Sequence, residues 1–218
     1  DWCRLIDYDP QGEIKVLAAW LYTGSSLDYA QCLERVRHAG KEELQELAAK
    51  MLAGRGKYDI PPRETELASY TFDLVLDQGA YFELKRHRMM TQLPQPLTAR
   101  LGYALPRRMV DAGMEAAYRR AMEKVEESYT ALAAWNPEVA AYVVPNGFRR
   151  RVLLTFNFRT AMHFTGLRSA PNAHFSLRRA AQRMAEEIRR CSPALGAYLP
   201  VNPEETWQSI ESKHFAAA

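Results

Sequence analysis

"SYTFDLVLD", residues 69–77, decides the fold, because Tyr70, Phe72, Leu74 and Leu76 alternate with Ser69, Thr71, Asp73, Val75 and Asp77. A period of two over that length is the mark of a strand with one face buried, and it is the clearest strand in the sequence. Working outward, "FRRRVLLTFN" (148–157) is rich in β-formers and reads as a second strand. Asn157 then caps a helix through "FRTAMHFTGLR" (158–168). "AHFSLRRAAQRMAEEIRRC" (173–191) is an amphipathic helix with Phe175, Leu177, Ala181, Met184, Ala185 and Ile188 on its apolar side.

On the other flank, "GEIKVLAAWLY" (12–22) fits either a helix or a buried strand. Ser26 is a candidate N-cap for a helix in "LDYAQCLERVRHAG", with Gly40 closing it. Leu44, Leu47, Ala48 and Leu52 recur at helical spacing over 41–52, and "GRGKYDIPPRET" (54–65) breaks the pattern. "QGAYFELKRHRMM" (78–90) resumes a helical pattern, while Pro94, Pro96 and Pro106 make the next stretch a loop or extended segment. Residues 112–134, rich in Ala, Glu, Met and Arg without Pro, predict a long helix. With no repeats or linker-like runs, the expectation is one α+β domain, helix-rich around a small, mainly antiparallel sheet.

Length and composition set the class. The chain has 218 residues, 47% hydrophobic and 25% charged, which suits a globular protein with a substantial core. A net charge of +3 means that positive potential must come from local clustering. The apolar run "IKVLAAWLY" (14–22) is too short to cross a bilayer. No basic-then-apolar leader precedes it, and a start at Asp1 predicts a fragment or trimmed domain. Cys3, Cys32 and Cys191 form no metal-ligand spacing, so free thiols in a reducing cytoplasm are expected.

Guanidinium groups cluster in four places: Arg86 and Arg88 around His87, Arg100 near Arg107 and Arg108, Arg149 to Arg151 beside Arg159, and Arg168. Together they suit a phosphate-bearing ligand; singly, each reads first as a solvated or ion-paired face. His163 reads as a core histidine and Met89 and Met90 as packing. Phosphate-loop, dinucleotide-fingerprint, zincin and nucleophile-elbow motifs are absent.

These pieces, in this order, resemble the flavin-dependent thymidylate synthases across nearly the whole chain, from "LIDYDPQGEIKVLAAWLY" through "YTFDLVL" and "KRHRMMT" to "AYVVPNGFRRRVLLTFNFRTAMHFTGLR" and "CSPAL". Arg86, His87 and Arg88 match the Arg-His-Arg that opens the family hallmark, but its serine register falls on Pro96. An insertion around Pro94 to Pro96 puts Thr98 in the serine's place and Arg100 in the second arginine's, with Leu101 for the tyrosine. Asn157 and Arg159 match the family's flavin contacts, and Arg168 the arginine that addresses the pyrimidine. His163 stands where a flavin-contacting Asn is common, His174 where a Gln is, Glu66 fits the upstream acid, and Ala141 replaces a phosphate-binding basic residue.

The resemblance implies reductive methylation of dUMP to dTMP, with FAD as cofactor and NADPH and methylenetetrahydrofolate as co-substrates. It further implies flavin contacts from Glu66, Arg86, His87, Arg88, Asn157, Arg159 and His163. Nucleotide contacts fall to Thr98, Arg100, Arg168 and His174, with Arg168 in the catalytic, polarising role. Family sites form between subunits of a homotetramer, so an intact paralogous domain is a second possible partner. A degenerate scaffold domain is the alternative. A nucleic-acid-binding module is disfavoured by acids such as Glu123, Glu126 and Glu127.

Overall fold

The computed structural model describes residues 1–56 and 58–216; Lys57, within the Gly/Pro-rich break, lies outside them. Four strands form one antiparallel sheet in the order β1-β2-β4-β3: β1 Cys3–Tyr8, β2 Ser69–Asp77, β3 Thr91–Pro94 and β4 Arg149–Asn157. The alternation in β2 decides its burial, since Tyr70, Phe72, Leu74 and Leu76 are each at most 2% exposed. They share the core face with Val152, Leu154 and Phe156 of β4, whose residues pair with β2 in unbroken register from Ser69 opposite Asn157 to Asp77 opposite Arg149.

Helices α1 Gly12–Thr23, α2 Tyr29–Arg37 and α3 Lys41–Leu52 follow β1. The ambiguous 12–22 segment is therefore helical, with Val16, Leu17 and Ala18 fully buried. The cap of α2 is Asp28, not Ser26: its carboxylate accepts from Gln31 N while the Gln31 side chain accepts from Asp28 N, a capping box. Gly40 does not close α2, which ends at Arg37; it precedes α3 with an ordinary negative φ of −72°.

After β2, α4 spans only Gln78–Leu84 and is capped by Asp77. The expected helix to residue 90 stops there because His87 N bonds Leu84 O and Met90 N bonds His87 O, converting the chain to successive tight turns. β3 runs beside β4 up to Pro94, where proline on an outer strand costs no ladder bond. Then come α5 Arg107–Asp111, α6 Glu115–Trp135 and α7 Pro137–Ala140, built over a second core of Ala99, Met122, Tyr129, Ala140, Val144 and Phe148.

Beyond β4 lie α8 Phe158–Arg168, α9 Phe175–Cys191, α10 Pro193–Gly196 and α11 Trp207–His214. The predicted apolar side of α9 is buried at Leu177, Ala181, Met184, Ala185 and Ile188. The C-terminal segment straps back over it: Arg179 lies over the rings of Trp2 and Phe215 at 3.9 and 4.1 Å, and Ala216 N bonds Leu105 O. The fold is thus the expected helix-rich α+β arrangement around a small antiparallel sheet. Among the described residues no helix is long and apolar enough to cross a membrane, and no acidic, His or Cys group could hold a metal. All three cysteines are free thiols.

Candidate functional site

The site is built from two ends of the fold. The turn after α4 carries Arg86-His87-Arg88, and Gln92 of β3 fixes it by donating from Nε2 to the carbonyls of Leu84 and His87 at 3.1 and 3.0 Å. This turn points alternate side chains in opposite directions: His87 is 7% exposed, whereas Arg86 and Arg88 face solvent. The last turn of α8 supplies Arg168, placed by the Asn157 cap, whose Oδ1 accepts from Thr160 N at 2.9 Å.

Arg168 and His87, 81 residues apart, meet directly: Arg168 Nε donates to His87 Nε2 at 2.8 Å. Arg168 Nη1 donates to Glu83 Oε2 at 2.9 Å, and Nη2 reaches Glu83 O at 3.4 Å. Because Nε2 accepts, His87 is neutral and carries its proton on Nδ1. Burial first, then the charges of Arg168 and His163, hold the His87 pKa down to about 4. Its ring stands edge-on to Phe164 and His163, with centroids 5.1 and 5.8 Å away.

This histidine makes stability depend on pH. The folded pKa of His87 lies below its ordinary 6.5, so the neutral ring contributes stability above about 6.5 that is lost as pH falls toward 4. His87→Gln, which keeps an acceptor but cannot titrate, is expected to flatten that part of the wild-type curve of urea midpoint against pH. Equal slopes for both proteins would show that His87 does not titrate in this way.

The other expected site residues lie elsewhere in the chain. Arg159, at the opposite end of α8 and about 14 Å along its axis from Arg168 at 1.5 Å per residue, pairs with Glu66 at 2.5 Å. Arg63 joins that acid at 3.4 Å, and the hydrogen bond from Arg159 leads the causes that lower the Glu66 pKa. Thr98 and Arg100 sit past β3 at the far end of β4, where Arg149 N bonds Gly102 O. There Thr98 Oγ1 accepts from Arg100 N. His174 caps α9 through Nδ1 and stacks on Phe175 at 4.3 Å, tied into the C-terminal strap.

Two readings need correction. His163 is exposed, not a core residue, because its position on α8 faces away from Met162 and Phe164; Met89 is likewise 80% exposed while Met90 is buried. The Arg149 to Arg151 cluster does behave as a paired face: Arg150 bonds Gln95 O and lies over the Tyr81 ring, and Arg151 faces Asp73 at 3.7 Å. Sequence reasoning missed Glu83 and Gln92. Glu83 had one available signal, its place four residues before His87 on a helix that faces the motif.

A helix-flanked antiparallel sheet that fixes a half-buried guanidinium against a neutral histidine is an α+β arrangement with a rigid hydrogen-bond donor set at this point. The model of the thymidylate synthase complementing protein family matches residues 4–194, and the chain belongs to that family. A UPF0159 protein of Chlamydia muridarum is 38% identical over 90% of this chain. One of Thermoplasma acidophilum is 32% identical over 90% of it. The chain spans only 37% and 40% of those two proteins. A flavin-dependent thymidylate synthase of Saccharolobus solfataricus is 28% identical over 63% of this chain and 56% of its own length. In fold, the chain is similar to a UMP/dUMP methylase, PolB of Streptomyces cacaoi, solved with 5-Br dUMP. The TM-score is 0.71 at 19% identity, covering 92% of this chain and 97% of that one.

Proposed function

We propose that this chain is a single thymidylate synthase-like domain that takes part in the FAD-dependent methylation of dUMP to dTMP, with methylenetetrahydrofolate as carbon donor and NADPH as reductant. The observation that carries the reading is the 2.8 Å bond between Arg168 and His87, which joins the two motifs of the resemblance at one half-buried point. A fixed guanidinium there polarises a pyrimidine carbonyl without having to reorganise. The flavin-dependent relative and the methylase neighbour support the same class of substrate.

The donor set fits FAD in part. Arg86 and Arg88 are exposed, and among the described residues neither has an acidic partner, so both forks are open to a diphosphate. Arg159 fits less simply, since any ligand anion would share it with Glu66. Asn157 is engaged as a helix cap, whereas exposed His163 is available. When bound, the flavin supplies hydride chemistry; this chain's residues hold its phosphates and orient the nucleotide.

Among the described residues, Thr98, Arg100 and His174 make no hydrogen bond or ion pair with Arg168, whose partners are His87 and Glu83. In this reading they serve a neighbouring site, in a homotetramer or against an intact second domain. That missing bond, with Ala141, Pro96 and Leu101 in place of family residues, favours the runner-up, a scaffold domain.

Titration with FAD followed by dUMP, read in the visible spectrum, tests the proposal. Retained flavin whose bands shift with dUMP is expected. Protein that retains no FAD would leave the scaffold reading standing. Arg86→Ala and Arg88→Ala should each weaken FAD by about tenfold or more, as expected for losing a charge-assisted bond worth about 1.5–3 kcal/mol. Unchanged affinity would contradict their assignment.

A further inference from the structure

We infer that Glu83 is a positioning residue that sets both the direction and the net charge of Arg168, so that this end of the site accepts a neutral carbonyl edge and turns away a phosphate. The inference rests on the reading of Arg168 as the group that faces the nucleotide.

A guanidinium has five N-H donors in a fixed plane. In Arg168, Nε is committed to His87 Nε2, Nη1 to Glu83 Oε2 and Nη2 to Glu83 O. Glu83 thus grips the fork twice, once through its carboxylate and once through its backbone carbonyl. One hydrogen on each terminal nitrogen is left without an acceptor among the described residues. Those two are the donors a ligand oxygen can meet.

Charge makes the same choice sharper. The Glu83 carboxylate cancels the Arg168 guanidinium at 2.9 Å, and His87 adds nothing because it is neutral. The side chains of Arg168 and Glu83 are only 14% and 28% exposed, so water screens the pair weakly. A phosphate arriving at Arg168 would meet the Glu83 carboxylate at close range, with no net positive charge to draw it in. A ring carbonyl needs only the dipole and the two free N-H groups. The uncompensated cations lie on the neighbouring turn, at Arg86 and Arg88, with Lys85 4.3 Å over the Phe82 ring. A ligand with an anionic group and a neutral carbonyl edge is therefore seated in one sense.

The test compares dUMP with uncharged deoxyuridine by calorimetric titration of the full chain, in wild type, Glu83→Gln and Glu83→Ala. Gln keeps an oxygen acceptor for Nη1 but removes the charge, so the ratio of dUMP to deoxyuridine affinity should rise about tenfold. Ala releases the carboxylate grip and should weaken both ligands. A purely structural Glu83 would leave the ratio unchanged in Glu83→Gln, and that result overturns the inference.

If wild type binds neither compound, the functional reading fails while Glu83 can still be judged. Inorganic phosphate is then titrated while the Arg168 Nε-H resonance is followed by NMR. The inference expects phosphate to move that signal in Glu83→Gln and not in wild type. An equal response in both would overturn it.

Discussion

Arg168→Ala is expected to lower dUMP turnover by about 10²–10³-fold, the cost of removing one preorganised donor from a developing charge, and to abolish the dUMP-induced shift of the flavin bands. The size comes from the groups that the side chain joins. Its loss leaves the Glu83 carboxylate without its cation and frees His87 Nε2, and on the proposed reading it also removes the donor to the pyrimidine. Arg168→Lys restores the charge but not the planar fork, so one ammonium cannot bond His87, Glu83 and a ligand in the same plane. It should recover less than a tenth of the activity. FAD retention is the control, because Arg86 and Arg88 are untouched. A variant that keeps FAD and still responds normally to dUMP would remove Arg168 from the nucleotide's contacts.

The sequence carried local information well and long-range information poorly. The bounds of β2, α3 and α8 could be read directly, because periodicity and an Asn cap are properties of neighbouring residues. β1 escaped notice: it is an outer strand with Cys3 as its one fully buried residue, so no alternation marks it. The break at Leu84 was hidden because "FELKRHR" has good helix formers, while in the fold the segment closes in tight turns and His87 is bonded by Gln92 and Arg168 from outside it. His163 shows the same limit, since an apolar flank on each side says nothing about which way a helix residue faces.

At the site, motif spacing pointed to His87 and Arg168 separately, and no feature of either segment announced that they touch. The family resemblance placed both near a ligand. The spacing of Glu83 from His87 was too weak a signal without the geometry, because an acid beside a basic motif reads equally well as a surface ion pair. Thr98 and Arg100 show the same limit from the other side, since motif counting groups them with His87 while the chain past β3 runs on to the Arg149 end of β4, where Arg149 N bonds Gly102 O.

The second large effect concerns the sheet that holds these parts. Phe72→Ala is expected to cost about 3–5 kcal/mol, the range for emptying a buried aromatic position, read as a fall in the urea midpoint. Phe72 is fully buried and its ring stacks on Phe156 at 5.7 Å and 4°. That cost is a large share of the roughly 5–15 kcal/mol that holds a domain folded. Thr71 is the matched control: one residue away, it points to the opposite face and shares a 3.0 Å hydroxyl contact with Thr155. Thr71→Ala should cost no more than about 1.5 kcal/mol, a single neutral hydrogen bond. Equal costs would mean that both sheet faces are filled, against the alternation in β2. The contrast also reaches function: Phe156 lies one residue before the Asn157 cap, and α8 runs from that cap to Arg168. Loosening the Phe72 stack should therefore weaken dUMP binding before the protein unfolds globally, whereas Thr71→Ala should leave it intact.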